Sequence, residues 1–85
     1  MSNIDKLEAA LMELTNFEGK APTLYRDRDY ADQIVLSAEE GDGYADYYGS
    51  NNGWPTVDER VERIAKQHGF YFEWENAGAL IAYEI

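Results

Sequence analysis

The sequence predicts an α+β domain in which two helices pack on one face of a small antiparallel sheet that ends in a C-terminal β-hairpin. Three observations point there. Apolar residues recur at helical spacing in two separate segments, a β-branched run lies between them, and residues 70–85 alternate aromatic with acidic side chains before a glycine-containing turn. The resulting order of helix, strand, helix, strand, strand suits a two-layer arrangement. Eighty-five residues at 45% hydrophobic content suffice for a single domain, residues 1–85, with one modest core.

Ile4, Leu7, Leu11 and Leu14 recur at steps of three and four, so residues 3–16 read as an amphipathic helix with Ser2 as N-cap and Asp5 three positions on. Gly19 and Pro22 end that pattern. Thr23 to Arg26 can form a short extended piece before Asp27, Arg28 and Asp29 interrupt it. Gln33 to Ala38, where Ile34 and Val35 adjoin Leu36, reads as a strand. The next stretch, "EEGDGYADYYGSNNGWP" from Glu39 to Pro55, is too rich in glycine for a helix and reads as a loop. Its bulky aromatics divide in the expected way, with Tyr47 and Trp54 turned inward to seal the core and Tyr44 and Tyr48 facing out.

Thr56 to His68 forms the second expected helix. "TVDE" fits a capping box, with Thr56 as cap, Glu59 three residues on and Pro55 just before. Val57, Val61, Ile64 and Ala65 supply its apolar face, and Gly69 its stop. Arg60, Arg63 and Lys66 are placed to pair within the helix with Asp58, Glu59 and Glu62 and to complement its dipole. In the terminal hairpin, pairing Glu75 with Leu80 sets Trp74 opposite Ile81, Phe72 opposite Tyr83 and Phe70 opposite Ile85, which makes one face wholly apolar. A slip of one residue brings Glu84 onto that face opposite Phe70, at a burial cost. The loop then has an even residue count and uses Gly78 for a positive φ. Tyr71, Glu73, Glu75, Leu80, Ala82 and Glu84 fall on the other face, with Glu84 opposite Tyr71.

Charge narrows the function. Seventeen Asp and Glu against seven Lys and Arg give −10, and the segment 27–46 holds seven acids with Arg28 as its one base. Direct contact with nucleic acid or an anionic membrane needs a basic footprint that this chain lacks. A cationic partner is the complementary expectation, with solubility the plainest alternative role for the acid and salt adaptation a variant of it. The absence of cysteine removes disulfides, thiol nucleophiles and Cys-ligated zinc, and fits a reducing cytosol. No signal-peptide pattern and no bilayer-length apolar run occurs, so a cytoplasmic location is expected.

Enzyme chemistry has little to work with, and no cofactor is expected. His68 is the single histidine and sits at a helix end, where capping explains it. The loop from Asp42 fails the EF-hand pattern, offering Tyr44 at the third position, Tyr47 where glycine belongs and Gly53 at the twelfth. A non-standard calcium or small-ligand site through Asp42 and Asp46 remains an alternative. Tyrosine is abundant, at seven in the chain, and tyrosines beside carboxylates suit protein recognition because they give large contact area at low entropic cost. Glu73 and Glu75 stand roughly 7 Å apart on one strand face with no base in the hairpin to balance them. The candidate partner-binding residues are therefore Asp42, Tyr44, Asp46 and Tyr48 in the loop, with Glu73 and Glu75 on the sheet.

"GDGYADYYG", "NGWP" and "KQHGFYFEWENAGALIAYE" together resemble short proteins encoded by tailed phages and prophages, over roughly the second half of the chain. In size and acidity the chain is also similar to anti-CRISPR and anti-restriction proteins, which present carboxylates where nucleic-acid phosphates would bind. That resemblance implies an inhibitor of a host nucleic-acid-binding defence complex, acting in the host cytoplasm by steric or DNA-mimicking occlusion. A structural or regulatory subunit of a phage particle is the other role it implies.

Overall fold

A computed structural model of the chain describes residues 3–27, 33–40, 43–48 and 55–85. The elements run α1 (Asn3–Leu11), β1 (Leu24–Asp27), β2 (Gln33–Ser37), β3 (Ala45–Asp46), β4 (Thr56–Val57), α2 (Glu59–Gln67), β5 (Phe70–Asn76) and β6 (Ala79–Glu84). Four strands form one antiparallel sheet in the order β1-β2-β6-β5, and β3 pairs with β4 in a separate two-stranded ribbon. Both helices cover the same face of the larger sheet. Leu7 and Leu11 of α1, with Val61 and Ala65 of α2, share one core with Ile34, Leu36, Phe70, Leu80 and Ala82. The expected α+β architecture is the observed one; the short extended piece expected over Thr23 to Arg26 is β1, which runs on through Asp27, and β3 and β4 are additions.

The first helix stops earlier than residue 16. Met12 N–H still reaches back to the Glu8 carbonyl, but Glu13 and Leu14 donate to Ala10 and Leu11, so the last turn tightens. Asn16 completes the exit, its Oδ1 accepting from the backbone N–H of Glu18 and of Lys20 at 2.8 and 3.0 Å. An Asn side chain that satisfies following amides in this way competes with helix continuation. Ser2, the expected N-cap, lies outside the described residues.

A buried cation ties α1 to the sheet. Arg26 pairs with Ile34 across β1 and β2 and so points to the helix side, where its side chain is 8% exposed. Its Nη1 donates to Asp5 Oδ1 at 3.0 Å and to Glu8 Oε1 at 3.3 Å. Asp5 and Glu8 stand within one turn of α1, so one guanidinium serves both.

The second helix starts two residues later than the capping box suggests. Thr56 and Val57 are extended and pair with Asp46 and Ala45. Asp58 is the cap, with φ −56° and ψ 127°, and its Oδ1 accepts from Arg60 N–H at 2.8 Å. Thr56 is drawn away from capping by the ribbon, where its hydroxyl lies 3.5 Å from the Asp46 carbonyl. Arg60 consequently falls in the first turn instead of late in the helix, and pairs with Asp58 at 2.8 Å. Arg63 pairs with Glu59 at 3.0 Å, as its spacing predicts. At the other end the expectations hold: Gly69 takes φ +82°, and His68 Nδ1 donates to the Ile64 carbonyl at 2.9 Å.

The hairpin register differs by one residue along most of its length. Trp74 faces Leu80, Phe72 faces Ala82, Tyr71 faces Tyr83 and Phe70 faces Glu84, whereas Asn76 faces Ala79 across the shift at Glu75. The parity expected at the turn is therefore present, with a two-residue loop of Ala77 and Gly78, and a bulge then changes it. The cause is on the far side of β6. There Leu36 of β2 faces Leu80, and since Ile34 and Leu36 are fully buried, Leu80 and Ala82 must join them beneath the helices. The cost assigned to Glu84 opposite Phe70 is avoided because Glu84 lies at the exposed strand end. Gly78 lacks a positive φ; a Cβ there would instead collide with the Glu39 side chain.

Candidate partner-binding surface

Of the six residues singled out from the sequence, the five that are described do not form one site. Tyr44 is a core residue, fully buried, and it is the largest fully buried side chain among the described residues. The β3–β4 ribbon and the bond from Asp58 N–H to the Tyr44 carbonyl, 2.7 Å, press this segment against the start of α2. Its hydroxyl then donates to the Lys20 carbonyl at 2.6 Å, and the Arg60 guanidinium lies 5.9 Å from its ring centroid. The expectation that Tyr44 faces out is thus overturned: a phenol can be buried whole when its hydroxyl finds an acceptor, and here the acceptor is 24 residues away.

Asp42 and Trp54 lie outside the described residues. Asp46 is half-buried in β3, with Oδ1 accepting from Tyr48 N–H at 3.0 Å, and Tyr48 projects outward at 76% exposure. Tyr47, expected to turn inward, remains partly exposed and sets its edge against Trp74, with centroids 5.3 Å apart at 80°. This contact brings Asp46 and Tyr48 to the β5 edge on the helix side of the sheet. Glu73 alternates with Trp74 and faces the opposite way.

The other carboxylates stand on the sheet face that no described element covers. Pairing places Tyr25, Val35, Ile81 and Glu73 in one row across all four strands, and Tyr71 opposite Tyr83 in the next. At the usual strand spacing the row spans about 14 Å. Tyr71 and Tyr83 rings lie 5.9 Å apart, tilted by 33°. Partial burial, then the charges of Glu75 and Glu73, push the Tyr83 hydroxyl above its ordinary pKa, so both carboxylates act on Tyr83. Leu80 and Ala82, expected on this face, are in the core, and Ile81 and Tyr83 take their place. The described basic residues belong to α1, α2, the connection at Lys20 and, for Arg26, the covered face.

The reactive groups are otherwise engaged. His68 caps α2, and the buried Ser37 hydroxyl donates to Glu40 Oε1 at 3.3 Å while accepting from Glu39 N–H. Among the described residues no group of three His, Asp or Glu side chains is placed to hold a metal ion, and no helix is long and apolar enough to cross a membrane.

No family model, curated protein or solved structure matches this chain. Sequence reasoning missed Tyr25, Ile81 and Tyr83 as parts of the sheet face opposite the helices. The alternation of Leu80 and Ala82 with Ile81 and Tyr83 carried the signal, but the choice between the two sets depended on β2.

Proposed function

We propose that the protein binds a basic, nucleic-acid-binding surface of another protein and occludes it, as a phage-type inhibitor of a host defence complex would. The observation that carries this reading is the segregation of charge. With a net charge of −10, the chain has a sheet face on which Glu73 and Glu75 stand without a described Lys or Arg beside them. Aligned like charges cost stability, and a cationic surface relieves that cost on binding. Asp46 and Tyr48 extend the acidic-aromatic character around the β5 edge.

The test is capture from a nuclease-treated bacterial extract on the immobilised protein, followed by challenge with duplex DNA and with salt. The expected result is a captured protein that itself binds nucleic acid and is released both by added DNA and by raising ionic strength past about 0.3 M, where the Debye length is short. Capture that DNA does not displace, or no capture at low salt, refutes occlusion.

A further inference from the structure

The sheet face opposite the helices has two features that act together. It is aromatic as well as acidic: Tyr71 is 43% exposed and Tyr25 56%, with Ile81, Val35 and Tyr83 half-buried between them. It also holds Glu73, in register with Ile81 one row from the Tyr71–Tyr83 pair, and Glu75 follows at the β5 bulge; the charges of both raise the Tyr83 pKa. A second copy of the chain fits this face poorly, because the same face brings no described Lys or Arg to meet Glu73 and Glu75.

Resting on the basic-partner reading above, we infer that this face docks an arginine-bearing segment of the partner protein, with a guanidinium lying over the Tyr71–Tyr83 pair and its N–H groups donating to Glu73 and Glu75. The chemistry distinguishes arginine from lysine. A planar guanidinium can stack on a phenol ring while presenting a fork of donors to a carboxylate, whereas an ammonium is a compact, strongly hydrated point charge. Tyrosines 5.9 Å apart provide an aromatic platform wider than one ring. The row from Tyr25 to Glu73 extends that platform across the sheet, and an open groove of about 300 Å³ lined in part by Tyr25, Val35, Glu39 and Glu40 offers further carboxylates at one end.

The experiment titrates the isotope-labelled full chain with a nine-arginine peptide and, separately, with a nine-lysine peptide, following backbone amide shifts and fitting both affinities. Expected are shifts concentrated at Tyr71, Glu73, Ile81 and Tyr83, and an affinity for the arginine peptide several-fold above that for the lysine peptide. Tyr71→Ser should then reduce arginine affinity about two- to five-fold, the range of one exposed cation–π contact, with lysine affinity nearly unchanged and the melting curve confirming the fold. Equal affinities for the two peptides, or shifts confined to the helices or to residues 43–48, overturn the assignment to this face and leave the basic-partner reading standing. No binding of either peptide at low salt overturns both.

Discussion

Removing one oxygen from Tyr44 separates a core role from a recognition role. In Tyr44→Phe the ring stays and the hydroxyl bond to the Lys20 carbonyl, 2.6 Å long, disappears. That carbonyl also accepts from Asn16 N–H at 2.9 Å, so it is not left wholly unpaired. The cost should accordingly fall near the ordinary net value of a hydrogen bond, about 1 kcal/mol, and below the roughly 1–3 kcal/mol for an orphaned buried group. In a domain of this size that lowers Tm by about 4–8 °C. Tyr44→Ala removes the ring as well, and a fully buried aromatic costs about 3–5 kcal/mol, a large part of the roughly 5–10 kcal/mol available. Urea unfolding followed by tryptophan fluorescence measures both. The nine-arginine affinity of Tyr44→Phe, measured well below its Tm, should equal that of the parent. A Tyr44→Phe protein as stable as the parent but weakened several-fold in binding would refute the placement of this residue in the core.

Three further substitutions test features of the fold. Arg26→Met leaves the part-exposed Asp5 and Glu8 without their shared guanidinium, and should cost about 1.5–3 kcal/mol in urea unfolding; a change under 0.5 kcal/mol would mean the pairs contribute little. Asp58→Asn keeps a capping side chain but does not titrate. Charge-assisted bonds from the Arg60 guanidinium hold the Asp58 carboxyl below its ordinary value, so its contribution is full above about pH 4 and is lost as pH falls through the lowered folded-state value. The Tm difference between parent and Asp58→Asn should therefore be positive at pH 6 and shrink towards pH 2, and a constant difference would contradict the pairing. Gly69→Ala meets no atom within 4 Å but must hold φ near +82°, so a loss of about 1 kcal/mol is expected from backbone strain alone.

What could be read from the sequence was local, and what could not was set by partners far along the chain. The bodies of both helices, the β2 strand, the Gly69 stop and the two arms of the hairpin follow from spacing and composition over a few residues. The start of α2 reads two residues early because Thr56 fits a capping box, yet Asp58 is an equally good cap, and the pairing of Thr56 and Val57 with Asp46 and Ala45, some ten residues upstream, selects it. The hairpin has the expected parity at its turn, without the positive φ expected at Gly78, and is shifted beyond Glu75, since β2 decides which face of β6 is covered. Tyr44 lay in an acidic, glycine-rich stretch and looked exposed, yet its hydroxyl acceptor at Lys20 and the Arg60 guanidinium above it come from two other segments. The candidate surface followed the same division. Glu73 and Tyr71 were visible from alternation within β5, and their neighbours Ile81, Val35 and Tyr25 emerge only when the strand order is known.

The position of β6 in the middle of the sheet sets the order in which the chain can be completed during synthesis. Residues 79–84 join β2 to β5, so a nascent chain that has emerged only as far as α2 holds β1 and β2 with one long edge of β2 unpaired. Until β6 arrives, Ile34 and Leu36 have no strand beside them on that side, and the exposed edge is open to pairing with other chains. The two pairings of β6 differ in reach: its contact with β5 is a local hairpin, whereas its contact with β2 spans more than forty residues of intervening chain and carries the larger loop-closure cost.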